Sequence, residues 1–131
     1  MKVAVSATAT SLDAVVDPRF GRCPYFIIVD TDTMQYEAVP NISQNAPGGA
    51  GIQAAQAIVS KGAKAVLTGN IGPNAHQALS AAGIQIITGV TGTVREVVTK
   101  YRKGEFKETN SPTVGGHFGI GKGRGMGRGR R

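Results

Sequence analysis

Three times along the chain an apolar stretch runs into a glycine-rich turn and then into a segment with helical spacing. Ala65-Val66-Leu67 leads into Thr68-Gly69-Asn70-Ile71-Gly72, and Ile84-Gln85-Ile86-Ile87 leads into Thr88-Gly89-Val90-Thr91-Gly92. The third turn, Pro47-Gly48-Gly49-Ala50-Gly51, opens the segment from Ile52 to Ser60. Repeated strand–turn–helix units direct a chain towards an α/β sheet with helices on its faces. The turns also bear on binding. Helix N-termini carry unpaired N–H groups and partial positive charge, and glycine lets a ligand approach the backbone closely. Turns of this kind along one sheet edge would make an anion-binding rim.

At 131 residues the chain has material for one domain with a real core. Its formal net charge of +7 resembles a nucleic-acid signature until the charges are located. Pro112 to Arg131 holds Lys122, Arg124, Arg128, Arg130 and Arg131 and no acid, which leaves the body at +2. Few aromatics accompany the arginines, so base stacking is poorly supported and any nucleic-acid contact would be non-specific, through the tail. A single cysteine, Cys23, excludes an intrachain disulfide framework and a tetrathiolate site. The N-terminus turns polar too soon for a signal-peptide core, and no apolar run reaches the roughly twenty residues a bilayer requires. These features point to a soluble cytoplasmic protein with no membrane partner.

Periodicity predicts strands at Lys2–Ala7, Tyr25–Asp30, Met34–Val39, Ala63–Leu67 and Ile84–Ile87. It predicts helices at Ile52–Ser60, from Pro73 to a stop at Gly83, and at Thr93–Tyr101. Thr8 to Pro24 reads as a long polar loop. The order βββαβαβα implies one mixed five-stranded sheet flanked by helices, compatible with a ribonuclease H-like arrangement. The domain is expected to span residues 1–107. Residues 108–131, rich in Gly, Arg and Met, read as a disordered basic tail that cannot bury enough apolar area to offset its ordering entropy.

Four stretches taken together resemble the dinitrogenase iron–molybdenum cofactor biosynthesis family, which includes NifX-like carriers and the C-terminal domain of NifB-type proteins. They are Phe20-Gly21-Arg22-Cys23-Pro24-Tyr25-Phe26, Gly48-Gly49-Ala50-Gly51-Ile52-Gln53-Ala54-Ala55, Thr68-Gly69-Asn70-Ile71-Gly72-Pro73-Asn74-Ala75 and Gly92-Thr93-Val94-Arg95-Glu96. The similarity covers roughly residues 1 to 107, and the tail resembles those of small stand-alone members. The resemblance implies a ribonuclease H-like fold and a non-catalytic role in binding or carrying an iron–sulfur or molybdenum–iron–sulfur cluster, with cluster donor or acceptor proteins as partners. It does not imply nuclease activity: the first strand offers Ser6 and no acid, and a two-metal nuclease needs several converging carboxylates.

Under that reading the rim residues Gly48, Gly49, Gly51, Thr68, Gly69, Asn70, Gly72, Gly89, Thr91 and Gly92 would hold an anionic cluster through N–H and hydroxyl donors. Arg19 and Arg22 would balance its charge. Cys23 is the one strong soft-metal ligand, and two neighbouring guanidinium groups would favour its thiolate; its alternative is a small buried residue at a strand start. His76 follows Gly72-Pro73 at a helix start, where a neutral imidazole could bind metal or simply be half-buried. His117 lies in the tail. Gly48-Gly49-Ala50-Gly51 lacks a following Lys-Ser/Thr and is no nucleotide P-loop, and no Gly-x-Gly-x-x-Gly follows the first strand. No base–nucleophile pair is evident, so catalysis is not expected. The alternative is an interaction module whose Gly-Arg tail docks on an acidic protein or nucleic acid.

Overall fold

The computed structural model describes residues 1–114. Five strands, β1 (Lys2–Ala7), β2 (Tyr25–Asp30), β3 (Tyr36–Pro40), β4 (Ala63–Leu67) and β5 (Gln85–Ile87), form one sheet in the order β3-β2-β1-β4-β5. β2 runs antiparallel to both β1 and β3, whereas β4 runs parallel to β1 and to β5. The helices are α1 (Ala50–Ser60), α2 (Pro73–Ala81) and α3 (Val94–Arg102). The expected βββαβαβα order and mixed five-stranded sheet are therefore present. The third strand starts two residues later than its alternation suggested, because Met34 takes a positive φ of 62° in the hairpin turn.

Alternation along the buried strands gives the sheet two apolar faces. Val3, Val5, Ile27, Val29, Ala65, Leu67 and Ile87 meet Val94, Val97 and Val98 of α3 on one side. Ala4, Phe26, Ile28, Val66 and Ile86 meet Ala54, Ala55, Ile58, Ala75 and Leu79 of α1 and α2 on the other. Small alanines on α1 and α2 let these two helices pack closely over a sheet rich in β-branched residues.

Residues 8–24 depart from the polar loop expected. Leu12, Ala14, Val16, Phe20 and Cys23 are buried, the first three under α3 and the last two under α1 and α2. The loop is stitched to the rim by Val16 N–H to Gly92 O at 2.9 Å, Val94 N–H to Ala14 O at 2.9 Å and Asn70 N–H to Pro18 O at 2.8 Å. Its apolar residues are too widely spaced to show either a helix or a strand period, so their burial is a product of the tertiary fold. Among the described residues no helix is long and apolar enough to cross a membrane.

Candidate functional site

The parallel strands β1, β4 and β5 all end on the same edge of the sheet, which gathers the turns after them with the loop between β3 and α1. The glycine turns therefore do lie along one rim, but most of their residues are engaged by the protein itself. A Cβ on Gly69 would fall 2.6 Å from Pro18 Cα, so this glycine admits the 8–24 loop. Thr68 is fully buried and its hydroxyl pairs with Ser6 Oγ at 2.7 Å. Asn70 uses both its backbone N–H and its carbonyl on that loop. Gly89 donates its N–H to Gly69 O at 2.8 Å, and Val90 N–H reaches Thr68 O at 3.3 Å. Gly92 accepts from Val16 and precedes Thr93, whose side chain caps α3 in a reciprocal capping box with Glu96. Thr91 is exposed.

The other two helices start differently. No side chain caps α1, whose N-cap is Gly49, or α2, whose N-cap is Gly72. Gly49 sits at φ 73°, a left-handed conformation that glycine adopts without strain. Gly48 beside it is exposed, with open space around its Cα. The two starts adjoin: a Cβ on Gly51 would stand 3.1 Å from Ala75 Cβ. Two uncapped helix starts and their positive dipole ends thus meet at one place, with Asn74 and Ala75 supplying the first N–H groups of α2 after Pro73.

Arg22 borders this place. Its Nη1 donates to the carbonyls of Gln44 at 3.0 Å and Ala46 at 2.6 Å, pinning the loop that leads into α1. Gly21 packs against the first peptide of α1, where its Cβ would lie 3.1 Å from Gly51 N. Arg19 is committed elsewhere, gripping the buried Asp17 carboxylate through Nε at 3.1 Å and Nη2 at 3.0 Å. The hydrogen bonds and charge of Asp17 raise the guanidinium pKa further.

Cys23 lies in the core with no exposed surface, and its thiol donates to Phe20 O at 3.3 Å. Asn41 Nδ2 bonds the Cys23 carbonyl at 2.8 Å, and the Phe20 and Phe26 rings pack together at 5.2 Å. Burial first, and then the Asp17 carboxylate, push the thiol up to about 12. The expectation that neighbouring arginines would favour thiolate is thereby corrected: burial raises the thiol, while Arg19 is engaged by Asp17 and Arg22 by loop carbonyls. His76 is half-buried, its Nε2 3.3 Å from the Thr109 carbonyl. A carbonyl only accepts, so this contact is a hydrogen bond in the states in which Nε2 carries a proton. Cys23 and His76 do not belong to a cluster: among the described residues no three His, Cys, Asp or Glu side chains gather as a metal-binding set.

The rim includes residues that sequence reasoning missed. Thr109, assigned by composition to the tail, hydrogen-bonds to β5 and the residue after it, and Thr113, likewise assigned, to the turn between β4 and α2. Nothing in Glu108-Thr109-Asn110-Ser111-Pro112-Thr113 has a helix or strand period, although threonines near the rim are suited to backbone capture. The rest of the basic tail, His117 included, lies outside the described residues. A separate cleft of about 400 Å³, lined by Met1, Thr31, Asp32, Gln85, Tyr101 and Phe106 among others, opens at the opposite edge of the sheet and contains none of the candidate residues.

The model of the family described as dinitrogenase iron–molybdenum cofactor matches residues 1–104. The apo form of the orange protein from Desulfovibrio gigas is 43% identical, with a TM-score of 0.84 over 86% of this chain and 96% of that one. A candidate NifB protein from Thermotoga is 34% identical, with a TM-score of 0.73 over 86% of this chain and 98% of that one. An uncharacterized protein of Methanocaldococcus jannaschii is 28% identical over 96 residues, which is 71% of this chain and 81% of the relative.

Proposed function

The chain belongs to the dinitrogenase iron–molybdenum cofactor family, and from that premise we propose that it is a non-catalytic carrier of an anionic iron–sulfur or molybdenum–iron–sulfur cluster, taken from and passed to other cofactor-handling proteins. The observation that carries this reading is the meeting of two helix starts, α1 and α2, that no side chain caps, beside the Arg22 loop. Such a place favours a bulky anion over a cation and offers many weak N–H donors in place of a few strong ligands. Weak, numerous donors suit cargo that must be released again. The likeness to an orange protein whose structure is described as its apo form supports a cargo-binding role.

In this reading Arg22 and the first-turn N–H groups of α1 and α2 hold the cluster, with Gly48, Gly49 and Gly72 allowing close approach. His76, in the first turn of α2, offers an imidazole nitrogen to the cluster, and Cys23 supports the Arg22 loop from the core. Anaerobic reconstitution with iron, sulfide and molybdate tests it, followed by metal analysis and visible absorption. Coloured, stoichiometric uptake is expected in wild type, retained in Cys23→Ala and reduced in Arg22→Gln. A protein that stays colourless and metal-free refutes the carrier reading, and uptake abolished by Cys23→Ala moves the site to the sulfur.

A further inference from the structure

Residues 108–114 run as a strap across β5 and the turn between β4 and α2. Thr109 N–H donates to Ile86 O at 2.6 Å, while Thr113 and Val114 N–H donate to Ile71 O at 2.9 and 3.2 Å. The hydroxyls also accept from the rim, and Thr113 Oγ1 in addition donates to Ile71 O at 3.2 Å. Thr88 N–H donates to Thr109 Oγ1 at 3.1 Å, and Ile71 N–H donates to Thr113 Oγ1 at 2.8 Å. His76 Nε2 completes the hold at the Thr109 carbonyl. Ile71 immediately precedes Gly72, the N-cap of α2, so the strap ends against the proposed cargo site.

We propose that Thr109 and Thr113 are residues of the cargo site, their hydroxyls keeping the Thr88 and Ile71 N–H groups as stand-ins for the acceptor atoms of an anionic metal–sulfur cargo. Cargo entry and strap release are then one equilibrium. This rests on the carrier reading above. Two observations make the strap displaceable. No residue of 108–114 belongs to either apolar core cluster, so it is held by hydrogen bonds and can leave without opening the core. The hydroxyls are neutral acceptors, and an anionic acceptor makes the stronger bond to the same N–H groups. The strap therefore satisfies the rim while the protein is empty and yields when cargo arrives.

The test is amide hydrogen exchange on the full-length chain, read by mass spectrometry before and after anaerobic loading with iron, sulfide and molybdate. It is run beside the double variant Thr109→Ala/Thr113→Ala. Each net hydrogen bond shifts an equilibrium by about fivefold, so strap amides in the empty variant should exchange on the order of tenfold to thirtyfold faster than in wild type. On loading wild type, the Thr109 and Thr113 amides should lose protection while those of Ile71 and Thr88 keep it. The variant should load at a lower concentration of metal and sulfide, by about tenfold. Loading with the strap amides still protected, or a variant that loads no more readily than wild type, overturns the coupling and leaves the carrier reading intact. Failure of both proteins to load overturns the carrier reading, and the coupling falls with it.

Discussion

The state of Cys23 separates a core thiol from a metal ligand and can be measured without any cargo. Its thiol is lifted from an ordinary 9.0 to about 12 by burial. That gap lowers the thiolate fraction by about a thousandfold at any pH well below 9, and only the thiolate reacts readily with a disulfide reagent. At pH 8 the folded chain should therefore react with an aromatic disulfide at least about a thousandfold more slowly than the urea-unfolded chain. Complete burial adds a steric barrier that directs labelling through opening of the core. The sign for stability follows. The folded state holds the proton more tightly than the unfolded one, so this contribution is complete below about pH 9 and is lost as pH rises from 9 towards 12. Relative to Cys23→Ala, wild type should lose up to about 1.4 kcal/mol per pH unit across that window, read as a difference between urea midpoints. Labelling of the folded chain within tenfold of the unfolded rate at pH 8, with no difference in pH slope, would refute a desolvated core thiol.

Other expectations concern the rim. Gly69→Ala forces a Cβ to 2.6 Å from Pro18 Cα, a backbone atom that cannot rotate away. It should destabilise by about 2–4 kcal/mol through the clash and the loosened Asn70–Pro18 bond, whereas Gly48→Ala, with open space around it, should stay within about 0.5 kcal/mol in equilibrium urea unfolding. Thr93→Ala removes the α3 cap and should cost about 1 kcal/mol, seen as a lowered thermal midpoint. The Thr93 backbone and side-chain bonds hold the Glu96 carboxyl below its usual range, so the stabilisation they give is present above the ordinary Glu pKa and is lost as pH falls through the depressed value. Glu96→Gln should flatten that acid limb, and an unchanged pH profile would show the capping box to be energetically silent.

Much of the architecture was legible because burial writes periodicity into sequence. Apolar β-branched runs such as Val3-Ala4-Val5 and Ala65-Val66-Leu67, and stripes such as Val94, Val97 and Val98, mark strands and helices whatever their neighbours are. Gly83 after α2 and Pro73 at its start mark ends by local backbone chemistry. The gathering of the glycine turns on one edge also follows from the βα order, because parallel strands must present their C-terminal ends together.

What those glycines do was decided by tertiary structure. Gly69 and Gly51 are equally plausible as ligand contacts when read as letters, yet the first admits Pro18 and the second lets α1 and α2 begin against each other. Arg19 and Arg22 look alike in sequence, but a buried carboxylate takes one and a pair of loop carbonyls takes the other. Cys23 became a core thiol because the loop before it folds under α1 and α2, a placement that no local pattern encodes. Thr109 and Thr113 joined the rim through sets of backbone and hydroxyl hydrogen bonds across the fold. Periodicity and backbone preference are properties of neighbouring residues, so the sequence by itself determined the elements and their order. Burial, charge pairing and hydrogen-bond occupancy depend on residues far apart in the chain, and only the assembled fold decided which rim groups remain for a ligand.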